Sequence, residues 1–158
     1  MTGVLIVRAT GMSFGDALRE RICDPLGMKD TGFSVAEASI DRLATAYERG
    51  NDVGGAPVVE DGLDGRWSRP PVFEGGGGGL VSTAEDYLAF ASALLAGGGS
   101  PGGRVLSRPA VTLMTSDHLT PPQKAVSGFW PGYFDTTGWG FGISVRTRRT
   151  HLGPSVGS

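Results

Sequence analysis

Side chains able to do chemistry are few in this chain, and they are scattered. Its two histidines, His118 and His151, stand far apart, and neither sits in an HxxxH, HxxE or CxxC cluster able to hold a metal ion. The single cysteine, Cys23, follows Ile22 in an apolar stripe, so it reads as a small buried residue, and an internal disulfide is excluded. Carboxylates come in pairs with structural roles. Asp16 and Glu20 neighbour Arg19 and Arg21, Glu60-Asp61 lies in a loop, and Glu85-Asp86 sits at the positive end of a predicted helix. Asp117-His118 reads as a solvated turn after a helix. The glycines at 75–79 run into Leu80-Val81 where a phosphate loop needs Gly-Lys-Ser/Thr. A literal GxGxxG at Gly97, Gly99 and Gly102 follows a helix, not a strand, and contains Pro101, so it is no dinucleotide fingerprint. No metal and no cofactor is expected.

The elements that would position these groups are legible in part. Residues 4–9 read as the end of a helix closed by Gly11. Ser13 with Asp16 opens a second helix, whose stripe is Phe14, Ala17, Leu18 and Ile22 and which Pro25 is expected to stop. Ser34 with Glu37 predicts another capping box before a short helical stretch over 36–43. Residues 49–79 show no period and read as a long irregular loop. Thr83 with Asp86 opens the clearest helix, with Ala84, Tyr87, Leu88, Ala91, Leu94 and Leu95 at three- and four-residue spacing. Ser107 and Pro109 start a shorter helix through Met114. Residues 119–137 read as loop. Trp139, Phe141, Ile143 and Val145 alternate with Gly140, Gly142 and Ser144 as in one strand, followed by a hairpin turn at Gly153-Pro154.

Composition bounds the class. The chain has 158 residues, 39% apolar and 19% charged, which suits a globular domain or a piece of one. Its net charge of −2 provides no field for nucleic acid or an anionic membrane. The basic run Arg146, Arg148 and Arg149 reads as a solvated strand edge. No apolar run reaches the ~18–20 residues of a membrane span. The start, MTGVLIVRATG, is no signal peptide, since Arg8 interrupts a short apolar run that no charge precedes.

Four phrases occur in order: ATGMSFGDALRERICDPLGMKDTGF, GGGGGLVSTAEDYLAFASALLAGG, VLSRPAVTLMTSDHL and GWGFGISV. Together they resemble the serine β-lactamase-like hydrolases, in the branch of class C β-lactamases, D-alanyl-D-alanine peptidases and carboxylesterases. The strongest pair is PLGM-x-x-T-x-F with the later G-G-L-x-S-T-x-x-D. The resemblance implies an α+β fold and an acyl-transfer enzyme acting on a small ester or amide. A serine of Ser-x-x-Lys would be the nucleophile, a Tyr-x-Asn tyrosine would assist, and a third motif would line the pocket.

Those residues do not carry over. Leu26 and Pro121 stand three positions before the lysines Lys29 and Lys124, so Ser-x-x-Lys is absent. Arg49, Ala89 and Asp135 stand two positions beyond Tyr47, Tyr87 and Tyr133, so Tyr-x-Asn is absent too. His151-Leu152-Gly153 matches a His-x-Gly third motif in pattern, although it falls before the strand that carries that motif in the family. The expectation is therefore an internal fragment of a hydrolase, inactive alone, with no catalytic residue of its own. The alternative is a non-catalytic homologue serving as a binding or scaffold module. The expected organisation is one partial domain over 1–158: a helical segment 1–48, a loop 49–79, helices 83–115, a loop 119–137 and a strand or hairpin 138–158. Trp67, Trp130 and Trp139 are candidate pocket-lining residues, with strand packing favoured for Trp139. No nucleic-acid or membrane partner is expected.

Overall fold

The computed structural model describes residues 2–49, 56–127 and 130–149. By contact the chain divides into two units, 1–93 with 100–105 and 94–99 with 106–158.

The first unit opens with α1 (Thr2–Thr10), closed by Gly11 at φ 72°, whose N–H donates to Val7 O at 2.8 Å. Ser13 then caps α2 (Phe14–Leu18). Its Oγ accepts from Asp16 N at 3.0 Å and donates to the Asp16 carboxylate at 2.7 Å. The helix passes through a π-helical turn (Arg19–Cys23) into α3 (Asp24–Leu26), so Pro25 does not stop it as expected. A proline lacks the N–H and clashes with the carbonyl four residues back. Here Asp24 N reaches Arg19 O, five residues back, so the ladder shifts just before the proline. Pro25 then enters at the start of a fresh α segment, where its missing donor costs little. The stop is Gly27 at φ 71°. Gly27 N donates to Asp24 O at 3.1 Å and Met28 N to Cys23 O at 2.9 Å, the bond pair of a Schellman motif. Met28 and Cys23, joined by that closure, are both buried.

The Ser34–Glu37 box does not form. A 3-10 helix (Glu37–Arg42) starts after Ala36 without a side-chain cap, because Val35 N donates to Trp67 O at 2.8 Å and holds the segment extended. The stretch 49–79 is also not wholly irregular. It contains β2 (Val58–Asp61), antiparallel to β1 (Ala46–Glu48), and a 3-10 turn (Arg66–Ser68). Only Val58-Val59 marked that strand, too short a run to show a period. Helix α4 (Ala84–Leu95) lies where its spacing predicts. The core of this unit holds Phe14, Ala17, Cys23, Met28, Phe33 and Ala93, with the Phe14 and Phe33 ring centroids 5.8 Å apart.

Gly97 and Gly98 turn the chain at φ 66° and 88°, followed by two short strands, β3 (Gly99–Ser100) and β4 (Gly103–Arg104). In the second unit Ser107 caps α5 (Arg108–Met114), accepting from Ala110 N at 3.2 Å. The span 119–137, expected as loop, holds α6 (Pro121–Val126) and α7 (Tyr133–Thr136). Gln123 Oε1 accepts from both Thr120 N and Thr120 Oγ1 at 2.9 Å, a cap that the Thr-Pro-Pro-Gln string encodes. The single strand expected over 139–145 is instead a hairpin. β5 (Thr137–Trp139) pairs antiparallel with β6 (Ser144–Arg146), Thr137 opposite Arg146 and Trp139 opposite Ser144. Gly142 at φ 84° makes the reversal and Gly140 N donates to Ile143 O at 2.9 Å, so the alternating glycines are turn residues. Helices with small antiparallel ladders make the fold α+β, in line with the resemblance. Residues 150–158, with His151 and the Gly153-Pro154 turn, lie outside the described residues.

Candidate functional site

The two phrases that carry the resemblance are bonded to each other. Gly32 and Val81 form an isolated antiparallel bridge, N–H to O at 3.0 and 2.9 Å. Beside it Asp86 Oδ2 accepts from Asp30 N at 2.8 Å and from Thr31 Oγ1 at 2.7 Å. The Thr31 and Ser82 hydroxyl oxygens are 2.7 Å apart. Since the Thr31 proton goes to the carboxylate, Ser82 is the donor in that pair. Asp86 is buried, so these bonds offset the cost of taking its carboxylate out of water. Thr83 does cap α4, its Oγ1 accepting from Asp86 N at 3.2 Å. The capping pattern concealed the other half of Asp86's work, which is to hold the segment after Gly27. Through Asp86 the relay ties the segment after Gly27 to the start of α4.

Two cavities adjoin this bridge in the first unit. One, of about 480 Å³, is lined by Lys29, Asp30, Arg42, Trp67 and Thr83 among others. Arg42 grips both oxygens of Asp30 at 2.8 Å, and those hydrogen bonds hold the Asp30 carboxyl below the usual carboxylate range. Trp67 donates from Nε1 to Gly79 O at 2.9 Å, and the Arg66 guanidinium lies 4.6 Å over its ring. The other cavity, of about 730 Å³, is largely apolar and takes in Leu18, Ile22, Cys23, Met28, Phe33 and Phe90. Glu74, on its wall, ties the glycine-rich loop to α2 by accepting from Gly15 N at 2.7 Å. Burial pushes the Cys23 thiol up, and the nearby Asp24 and Asp86 charges add to that.

Trp130 and Trp139 belong to the second unit and line neither cavity. Trp130 is exposed and meets the Tyr133 ring edge-on at 4.6 Å. Trp139 sits in β5. Here the expected solvated turn at Asp117 is replaced by a hub. Asp117 Oδ1 accepts from Leu119 N and Trp139 N, both at 3.1 Å, and its other oxygen pairs with Lys124. Burial pushes this carboxyl up, but the bonds from Lys124, Trp139 N and Leu119 N together outweigh it and bring the pKa below the usual value. His118 stacks on Phe141 at 4.4 Å, with Nε2 2.7 Å from Leu113 O. Among the described residues no cluster of three or more His, Cys, Asp or Glu could hold a metal ion, and no helix is long and apolar enough to cross a membrane.

Fold and site thus define a helix-rich α+β protein whose first unit holds two cavities, one of them largely apolar. The chain belongs to the Beta-lactamase family, whose model matches residues 1–158. It is 37% identical over 161 residues to an uncharacterized protein of Mycobacterium tuberculosis, covering 98% of this chain and 38% of that one. It is 34% identical over 147 residues to penicillin-binding protein 4 of Amycolatopsis lactamdurans, covering 90% and 34%. The solved structure of unliganded simvastatin synthase from Aspergillus terreus has the same fold, with TM-score 0.73 and 24% identity, covering 91% of this chain and 37% of that one. The chain therefore spans little more than a third of the length of these relatives.

Proposed function

We propose that this chain supplies the helical lobe and first C-terminal strands of a serine acyl hydrolase, acting on a small ester or amide, and that it carries no nucleophile of its own. One observation carries this reading: the family match runs over residues 1–158, yet those residues contain neither Ser-x-x-Lys nor Tyr-x-Asn. An acyl transfer needs an activated nucleophile beside a base, and neither lysine has a serine three residues before it.

The test is direct. The purified chain is expected to leave nitrocefin and p-nitrophenyl esters unhydrolysed above background, and to take up no fluorophosphonate. Stoichiometric labelling of any serine would overturn the assignment. Reading the genomic frame outward separates the fragment from a scaffold homologue: Ser-x-x-Lys and Tyr-x-Asn upstream support the fragment, and a start signal at Met1 with a stop after Ser158 sinks it.

A further inference from the structure

We propose that the 730 Å³ cavity of the first unit binds a monocarboxylate with a medium-length apolar chain, the chain among Leu18, Ile22, Cys23, Met28, Phe33 and Phe90 and the carboxylate at Lys29. The volume lies within the ~300–1,000 Å³ of small-molecule sites, and such sites pair an apolar wall with a few polar groups. The wall here is apolar where it is deepest: Cys23, Met28 and Phe33 are all buried. A polar group set against it would lose water without gaining a partner, so the body of an occupant is apolar.

Four polar groups gather at one end. Lys29, Thr31, Ser34 and Ser82 line both cavities, which places them where the two adjoin. Charge then selects the head group. Arg19, also on the wall, is paired with Asp16, and the Glu74 carboxylate is taken by Gly15 N. The Lys29 ammonium forms no ion pair among the described residues. The exposed Lys29 ammonium, whose charge acts also on Asp30, shares this junction with the Ser34 and Ser82 hydroxyls and matches a single negative charge. A phosphate dianion would call for a denser donor set, and the Glu74 and Asp30 carboxylates on the two walls oppose it. Binding here needs no nucleophile, so it stands apart from the acyl-transfer reading and is tested without turnover.

Equilibrium dialysis of the full chain against labelled decanoate, with decanol, decylamine and acetate as competitors, decides it. Decanoate is expected to bind saturably at one site, about ten-fold more tightly than decylamine, which is ~1.4 kcal/mol, and more tightly still than acetate, which has no chain to bury. Lys29→Met should weaken decanoate about ten-fold and leave decanol unchanged, and Lys29→Arg should restore binding. Cys23, the chain's single thiol, reports occupancy: decanoate at about four times its Kd should slow alkylation by N-ethylmaleimide about five-fold. No saturable binding at millimolar decanoate, equal binding of decylamine, or saturation with an unchanged Cys23 rate would each overturn the proposal. The competitor series on the unsubstituted chain decides the matter even where a variant fails to fold.

Discussion

Asp117 gathers two backbone N–H groups and an ammonium around one carboxylate, from residues 2, 7 and 22 positions away. Its side chain is 21% exposed, so water does not replace those bonds freely. Asp117→Ala should cost about 1–3 kcal/mol, since it leaves partly buried donors unpaired. Linkage gives a sharper signature. The folded carboxyl titrates below its unfolded value, so its contribution is fully present above the unfolded pKa of ~3.9 and fades as pH falls through the lower folded value. Chemical denaturation of the wild type and Asp117→Asn should therefore show a constant gap from pH 7 to about 5, closing below about 4. A gap independent of pH would mean that the charge is not what Asp117 contributes. Sequence reading saw only the neighbour His118, because two of the three partners lie 7 and 22 residues along the chain, in α6 and β5. Asp86 was half legible, since its capping pattern is local and its bonds to Asp30 and Thr31 are not.

The elements that local rules describe well are those whose bonds close within a turn. Helix α4 and the caps at Ser13, Thr83 and Ser107 form where spacing puts them. The Gly27 stop follows the same rule, and it allows a clean measurement. A Cβ there would meet nothing within 4 Å, so Gly27→Ala isolates the cost of left-handed backbone. That cost is about 1 kcal/mol in thermal or denaturant unfolding, with Gly27→Asn costing less. An unchanged stability would mean that the turn relaxes out of φ 71°. Gly140→Ala should be worse, because its Cβ would fall on the Met114 carbonyl oxygen. The elements that sequence reading missed share a cause. The π turn before Pro25 and the β1–β2 ladder are set by bonds that no residue period records. In the β5–β6 hairpin, glycine alternation imitates a strand while a positive φ at Gly142 reverses it.

At the scale of the whole molecule, the two phrases that carry the resemblance meet across the chain, Gly32 on Val81 through backbone and Thr31 on Asp86 through side chains. How much of the fold this chain can hold alone was not readable, since that depends on area covered. Among the described residues no large side chain is less than 2% exposed. Helix α4 leaves Leu88 64% and Leu95 89% exposed, and α1 leaves Leu5 62% exposed. At about 25 cal/mol per Å², covering a few hundred Å² of such faces contributes several kcal/mol, comparable to the ~5–15 kcal/mol margin of a whole domain. The Mycobacterium tuberculosis relative is longer, this chain covering 38% of it. The isolated 158-residue chain should then melt broadly, with a calorimetric enthalpy well above the van't Hoff value and with far- and near-ultraviolet signals lost at different temperatures. Coincident, sharp transitions would show that the chain folds cooperatively by itself, and that the exposed faces of α1 and α4 need no cover.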